Sequence, residues 1–141
     1  MGKLCELDQE RPGKDGIYFR FWFPVLLYCL AIFIQSSYPS VKQTQHLPHE
    51  DKILHFVGYA FLGVLFLRGF RNSRFGTKHK FVMAASILLT GLYGVSDELH
   101  QVYVPLRNGN IQDALFDFLG GIFGVCLYQT LSERYPKIRR I

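Results

Sequence analysis

The 141-residue chain has three cysteines, none in a CxxC pair, and no GxSxG, Ser-x-x-Lys or HExxH string. These absences leave no disulfide framework, no cysteine-rich metal site and no recognised nucleophile motif to build a function on. Cys29 and Cys126 lie within apolar blocks, where a small apolar role suits them, and Cys5 lies in the N-terminal tail. There is no repeat, no low-complexity tract and no linker long enough to divide the chain, so a single domain over 1–141 is expected. The first apolar block begins at Ile17, after a charged tail, and no small-residue cleavage site follows it. It therefore reads as a retained anchor, not a signal peptide. The start "MGKLCE" fails as a myristoylation signal because Glu6 stands where Ser or Thr is required.

What the chain does have is apolar surface: 49% of residues are hydrophobic and 16% aromatic, rich for a soluble domain of this size. The mean hydropathy of +0.11 is mild, but it averages apolar blocks with charged ends. Four blocks predict helices over about 17–36, 52–70, 80–100 and 111–131 by the length needed to cross a bilayer. The third reaches that length only if it continues as helix through Ser96, Asp97, Glu98, Leu99 and His100. A soluble four-helix bundle would show a polar stripe on each helix, yet Phe61–Leu67 and Ile122–Leu127 have no polar side. The expected fold is all-α, a membrane bundle of four transmembrane helices.

Charge placement gives an independent reading. Of the 16 Lys and Arg, only Lys42, Lys52 and Arg107 fall outside the N-terminal region, the segment between blocks two and three, and the C-terminal tail. That alternation predicts both termini on the cytoplasmic side of a multi-pass protein. It also accounts for the net charge of +5 through anionic headgroups, with no nucleic acid partner. Arg20 and the aromatics from Tyr18 to Phe23 suit the first interface. Gly91, Gly94, Gly120, Gly121 and Gly124 mark faces where helices pack closely.

Apart from the N-terminal tail and the basic clusters, nearly all the remaining ionisable residues gather at the outer ends of the spans. Asp51, His55 and Tyr59 recur every fourth residue and share a helix face, with Lys52 adjacent. Asp97, Glu98, His100 and Gln101 occupy one turn of the third span, and Asp113 and Asp117 are one turn apart on the fourth. An ionisable group within a span is costly and marks a functional site by default; the structural alternative is a set of interhelical bonds that fixes register.

The strings "DKILHFVGYAFLG" and "SDELHQVYVPLRNGNIQDALFDFLGGIFG", with the preceding "QSSYP", resemble the VanZ-like family of small multi-pass membrane proteins over about Gln35 to Gly124. The matching residues are Asp51, Lys52, His55, Tyr59, Glu98, Gln101, Pro105, Arg107, Asp113 and the glycines that follow. The family often has Asn where this chain has Asp117. The resemblance implies a bacterial cytoplasmic membrane protein linked to low-level resistance to glycopeptides of the teicoplanin type, without implying a reaction.

Three functions follow for weighing. The first is recognition of a lipid-linked headgroup or lipophilic antibiotic by Lys52, His55, Tyr59, Glu98, Gln101, Arg107, Asp113 and Asp117, with Arg107 offering a planar fork to phosphate or carboxylate. Its partners would be membrane lipids and possibly a cell-wall precursor. The second is a membrane enzyme in which His55 or His100 is the base, Glu98 or Asp113 its orienting acid, and Lys52 with Arg107 the anion stabilisers. Ser36, Ser37 and Ser96 are better read as helix-end caps than as nucleophiles. The third, a transporter, ranks last because the inner half of the bundle lacks a polar path. No cofactor is expected, and no metal, since His55, Asp97, Glu98, His100 and Asp113 are adequate ligands that lack a diagnostic spacing.

Overall fold

The computed structural model describes residues 14–38, 50–105, 107, 109–135 and 137, with backbone placement only at 14, 15, 17, 18, 50 and 51. Four helices make up the described structure: α1 (Lys14–Ser37), α2 (Glu50–Arg71), α3 (His79–Val102) and α4 (Ile111–Arg134). Each is long and apolar enough to cross a membrane. At about 1.5 Å per residue, 22 to 24 residues span roughly 33–36 Å against a hydrocarbon layer of about 30 Å. α3 continues through Ser96 to His100, as the length argument requires. Pro24 sits inside α1 on an exposed face.

Burial explains why these helices are apolar in the pattern they are. The buried face of α3 consists of Val82, Ser86, Thr90, Gly91, Gly94, Asp97, Glu98 and Gln101, whereas Leu88, Leu92, Val95, Leu99 and Val102 are exposed. A water-soluble bundle arranges these the other way round. Small and polar residues inside with leucines outside is the arrangement a lipid solvent favours, because close packing and interhelical bonds replace hydrophobic drive. The two buried hydroxyls are satisfied within the helix, Ser86 Oγ donating to the Val82 carbonyl at 2.7 Å and Thr90 Oγ1 to the Ser86 carbonyl at 2.8 Å.

Two small apolar cores complete the packing. Val25, Tyr59, Leu62, Leu65 and Phe66 join α1 to α2 with Trp22, Tyr28 and Tyr93 against them. Leu67, Val82 and Val125 join α2, α3 and α4. The glycines hold α2 and α4 together most closely. A Cβ on Gly120 would strike the Phe56 carbonyl, one on Gly124 the Ala60 carbonyl, and one on Gly63 would lie 2.9 Å from the Gly121 carbonyl oxygen.

Cross-bundle contacts give the direction of each helix. His55 meets Asp117 and Arg71 meets Ser132, so α2 and α4 run parallel. Gln101 meets Ser36 and Tyr93 meets the Cys29 carbonyl, so α1 and α3 run parallel to each other. Tyr28 bonding to the Gly58 carbonyl sets α1 against α2 in the opposite direction. The chain thus goes up, down, up, down. The α2 and α3 helices form the middle of the bundle, with α1 on one side and α4 on the other, and among the described residues α1 and α4 do not touch.

Candidate functional site

The start of α2, the end of α3 and the start of α4 meet at one end of the bundle, and each contributes an ionisable side chain to the same point. His55 Nδ1 lies 2.9 Å from Asp117 Oδ1 and 4.0 Å from Glu98 Oε1. With Asp117 as a carboxylate, Nδ1 is the donor. Asp117 is 0% exposed and Glu98 is buried, while His55 keeps part of its ring accessible. Asp117 fits at this depth because α3 has Gly94 opposite it. A Cβ there would lie 2.8 Å from Asp117 Cβ and 2.9 Å from Oδ2.

The Glu98 carboxylate is held from its other side. The backbone N–H of Asn110 donates to Glu98 Oε2 at 2.8 Å, and the Asn110 side chain caps α4 by accepting from the Gln112 N–H at 3.0 Å. One asparagine thereby ties the end of α3 to the start of α4. Gly109 follows the same path, where a Cβ would lie 2.7 Å from the Glu98 carbonyl oxygen. Two oxygens of the cluster, Glu98 Oε1 and Asp117 Oδ2, have no hydrogen-bond partner, and neither do Asp113 Oδ1 and Arg107 Nε. Buried polar atoms are nearly always partnered, so four such atoms at one end of a small bundle call for an explanation.

The expected site residues divide into three groups. His55 and Tyr59 do share a face, their rings parallel with centroids 6.3 Å apart, and Tyr59 is buried. The Asp51 side chain lies outside the described residues. Lys52 donates to Gln112 Oε1 and stands 5.6 Å from the Phe116 ring centroid. Arg107 is half-buried with its Nε unpartnered, and among the described residues it forms no ion pair. Among the described residues it therefore pairs with none of Asp97, Glu98 and Asp113.

The turn of α3 that carries four polar residues sends them in different directions, since successive residues are about 100° apart around a helix. Glu98 points to His55. Gln101 bonds to Ser36 Oγ at 2.8 Å and to Asp97 Oδ2 at 3.1 Å, forming a separate buried group against α1. His100 bonds to Ser37 Oγ at 3.0 Å and packs on Phe33, with centroids 4.6 Å apart. As an expected base beside the acids, His100 is misplaced by that turn: it faces α1 while the acid cluster gathers around His55.

The sequence pattern points to Glu98 or Asp113 as the orienting acid, whereas in the structure Asp117 makes the direct contact. The signal for Asp117 is its place one turn beyond Asp113, followed by Gly120 and Gly124 on the same helix. Asn110 carries a signal too. Its place immediately before the fourth block, ahead of Asp113, is a helix-start signature.

These features define a four-span helical membrane protein with an acid–histidine cluster buried at one end. The family model described as VanZ/LLP1 matches residues 21–132, and the chain belongs to that family. No curated protein and no solved structure matches it.

Proposed function

We propose that this is a protein of the bacterial cytoplasmic membrane, both termini cytoplasmic, whose acid–histidine end lies under the outer face. There it would recognise the anionic headgroup of a lipid-linked envelope precursor or a lipophilic glycopeptide, and so modulate low-level resistance to drugs of the teicoplanin type. The observation that carries the reading is the convergence of His55, Glu98 and Asp117 from three helices, at the end where Lys52 and Arg107 are the described lysine and arginine. The opposite end carries Arg68, Arg71, Arg74, Lys78, Lys80 and Arg134, a bias that supports the orientation. Arg107, in no ion pair among the described residues, suits a phosphate or carboxylate arriving from the bilayer surface.

Binding of an undecaprenyl-linked pyrophosphate to the purified protein, measured alongside teicoplanin susceptibility of a strain producing it, tests the proposal. Saturable binding that weakens about tenfold in Arg107→Ala, together with lost resistance, supports it. A tenfold loss corresponds to about 1.4 kcal/mol, close to the lower end of the range for one charged hydrogen bond. Unchanged binding and susceptibility in that variant refute it.

A second reading is favoured by one contact. Asp117 holds His55 Nδ1 as an acid holds the ring of a general base, fixing its tautomer and orientation. In that reading the protein is a membrane hydrolase or transferase acting on the same lipid. Turnover of the lipid that disappears in His55→Ala with folding intact would select it over binding alone.

A further inference from the structure

We infer that His55, Glu98 and Asp117 form a binding site for a transition-metal dication of the zinc or manganese kind. The inference stands on the geometry of the cluster and is independent of which lipid or drug the protein recognises. His55 and Glu98 are adequate ligands by residue type, but with Asp117 they lie on three helices and share no motif spacing, so the sequence pattern does not point to a metal.

Each residue offers one ligand atom, and the three atoms all lie within 4.8 Å of one another. Ligands about 2.1 Å from a tetrahedral ion stand about 3.4 Å apart. The observed separations of 2.9 Å for His55 Nδ1 to Asp117 Oδ1 and 4.0 Å for His55 Nδ1 to Glu98 Oε1 bracket that value. The third separation, between Glu98 and Asp117, lies within 4.8 Å, so the three ligand atoms are close enough to converge on one ion by side-chain rotation.

Charge and bonding favour the same conclusion. As carboxylates, Glu98 and Asp117 carry two negative charges, and one imidazole offsets one of them only when protonated. A dication balances both. Glu98 Oε1 is aimed at His55 and has no hydrogen-bond partner, and Asp117 Oδ2 has none either. Lys52, the lysine at this end among the described residues, is engaged with Gln112. Glu98 is also held from behind by the Asn110 N–H, an outer contact of the kind that orients metal ligands.

The donor set narrows the ion. One imidazole nitrogen with two carboxylate oxygens suits zinc, manganese or iron(II), whereas calcium and magnesium prefer oxygen alone. Three protein ligands leave a position open for water or a substrate oxygen. Uptake of the ion takes the place of the proton between His55 Nδ1 and Asp117 Oδ1: a neutral ring keeps its one N–H at Nε2, and an imidazolium releases one proton to solvent.

The test uses the full-length protein in detergent, stripped with a chelator and then titrated with zinc or manganese chloride. Elemental analysis after desalting is expected to give one ion per chain, and bound manganese is expected to broaden its electron paramagnetic resonance spectrum. Glu98→Gln and Asp117→Asn keep shape and hydrogen-bonding capacity, so both are expected to fold and to weaken affinity by more than about 100-fold, beyond the 10–100-fold cost of outer-shell changes. His55→Gln makes the same test from α2 should either carboxamide fail to fold. His79→Ala, exposed at the opposite end, is expected to bind as the parent does. Substoichiometric metal in the parent, or equal affinity in the folded variants, overturns the inference.

Discussion

Among the described residues His55 is the cationic candidate beside both Glu98 and Asp117, and its removal should be felt by each of them. Breaking a buried pair leaves an uncompensated charge, at a cost of about 3–5 kcal/mol. His55→Ala is accordingly expected to lower the unfolding midpoint in detergent markedly. Asp117→Asn in the same chain should restore part of the loss, because the amide carries no charge to strand. Chemical unfolding of the two single variants and the double variant measures this coupling, and strict additivity would show that the two residues do not act together. At this scale the sequence was legible in periodicity alone. Spacing correctly put His55 with Tyr59 and Asp113 with Asp117 on common faces. It could not say that Asp117, and not Glu98 or Asp113, would hold the imidazole, nor that His100 would turn to Phe33 and Ser37. Those outcomes depend on the rotation of one helix against another.

That rotation is fixed at the scale of the element, by the glycines of α4. Gly120 and Gly124 bring its backbone against the carbonyls of Phe56 and Ala60, and the register so imposed aligns Asp117 with His55. Gly124→Leu is expected to destabilise the bundle by about 1–3 kcal/mol or more, in the range of overpacked interiors, and to separate α2 from α4. A cysteine pair placed across the two helices would then cross-link less efficiently than in the parent background. At the far end, Arg71 reaches Ser132 Oγ at 3.0 Å and Gln129 Oε1, and lies over the Tyr128 ring. Arg71→Ala should cost about 1–3 kcal/mol, given about 0.6 and at most about 1.7 kcal/mol for each interhelical bond in a membrane, read as a lower thermal midpoint in detergent. The small-residue spacing announced a close helix contact in the sequence. Which helix would occupy it was not announced, since α2 and α3 both present glycines.

For the whole molecule, the uneven distribution of Lys and Arg predicts the orientation of all four spans at once. In a background lacking the native cysteines, Ser73→Cys and Lys137→Cys are expected to react with a membrane-impermeant thiol reagent only after cells are opened. Tyr103→Cys, at an 86% exposed position, is expected to react in intact cells. Labelling of positions 73 and 103 from one side would invalidate the placement of the acid–histidine end under the outer face. Span number and approximate limits were readable from hydropathy and length because lipid imposes them on every segment separately. The order of packing was not, because four similar apolar rods have several ways to assemble and the choice rests on a few glycines and hydrogen bonds.

Among the described residues the α1 and α4 backbones stay apart, which divides the bundle mechanically. Phe56, Ala60, Gly120 and Gly124 weld α2 and α4 into a plank that carries His55 and Asp117, while the described part of α1 packs on α2 and α3. A tug on α1 would loosen Ser36 from Gln101 and leave the imidazole and its aspartate in register. Flexing in this protein therefore belongs to the first helix, and rigidity to the pair that bears the acid.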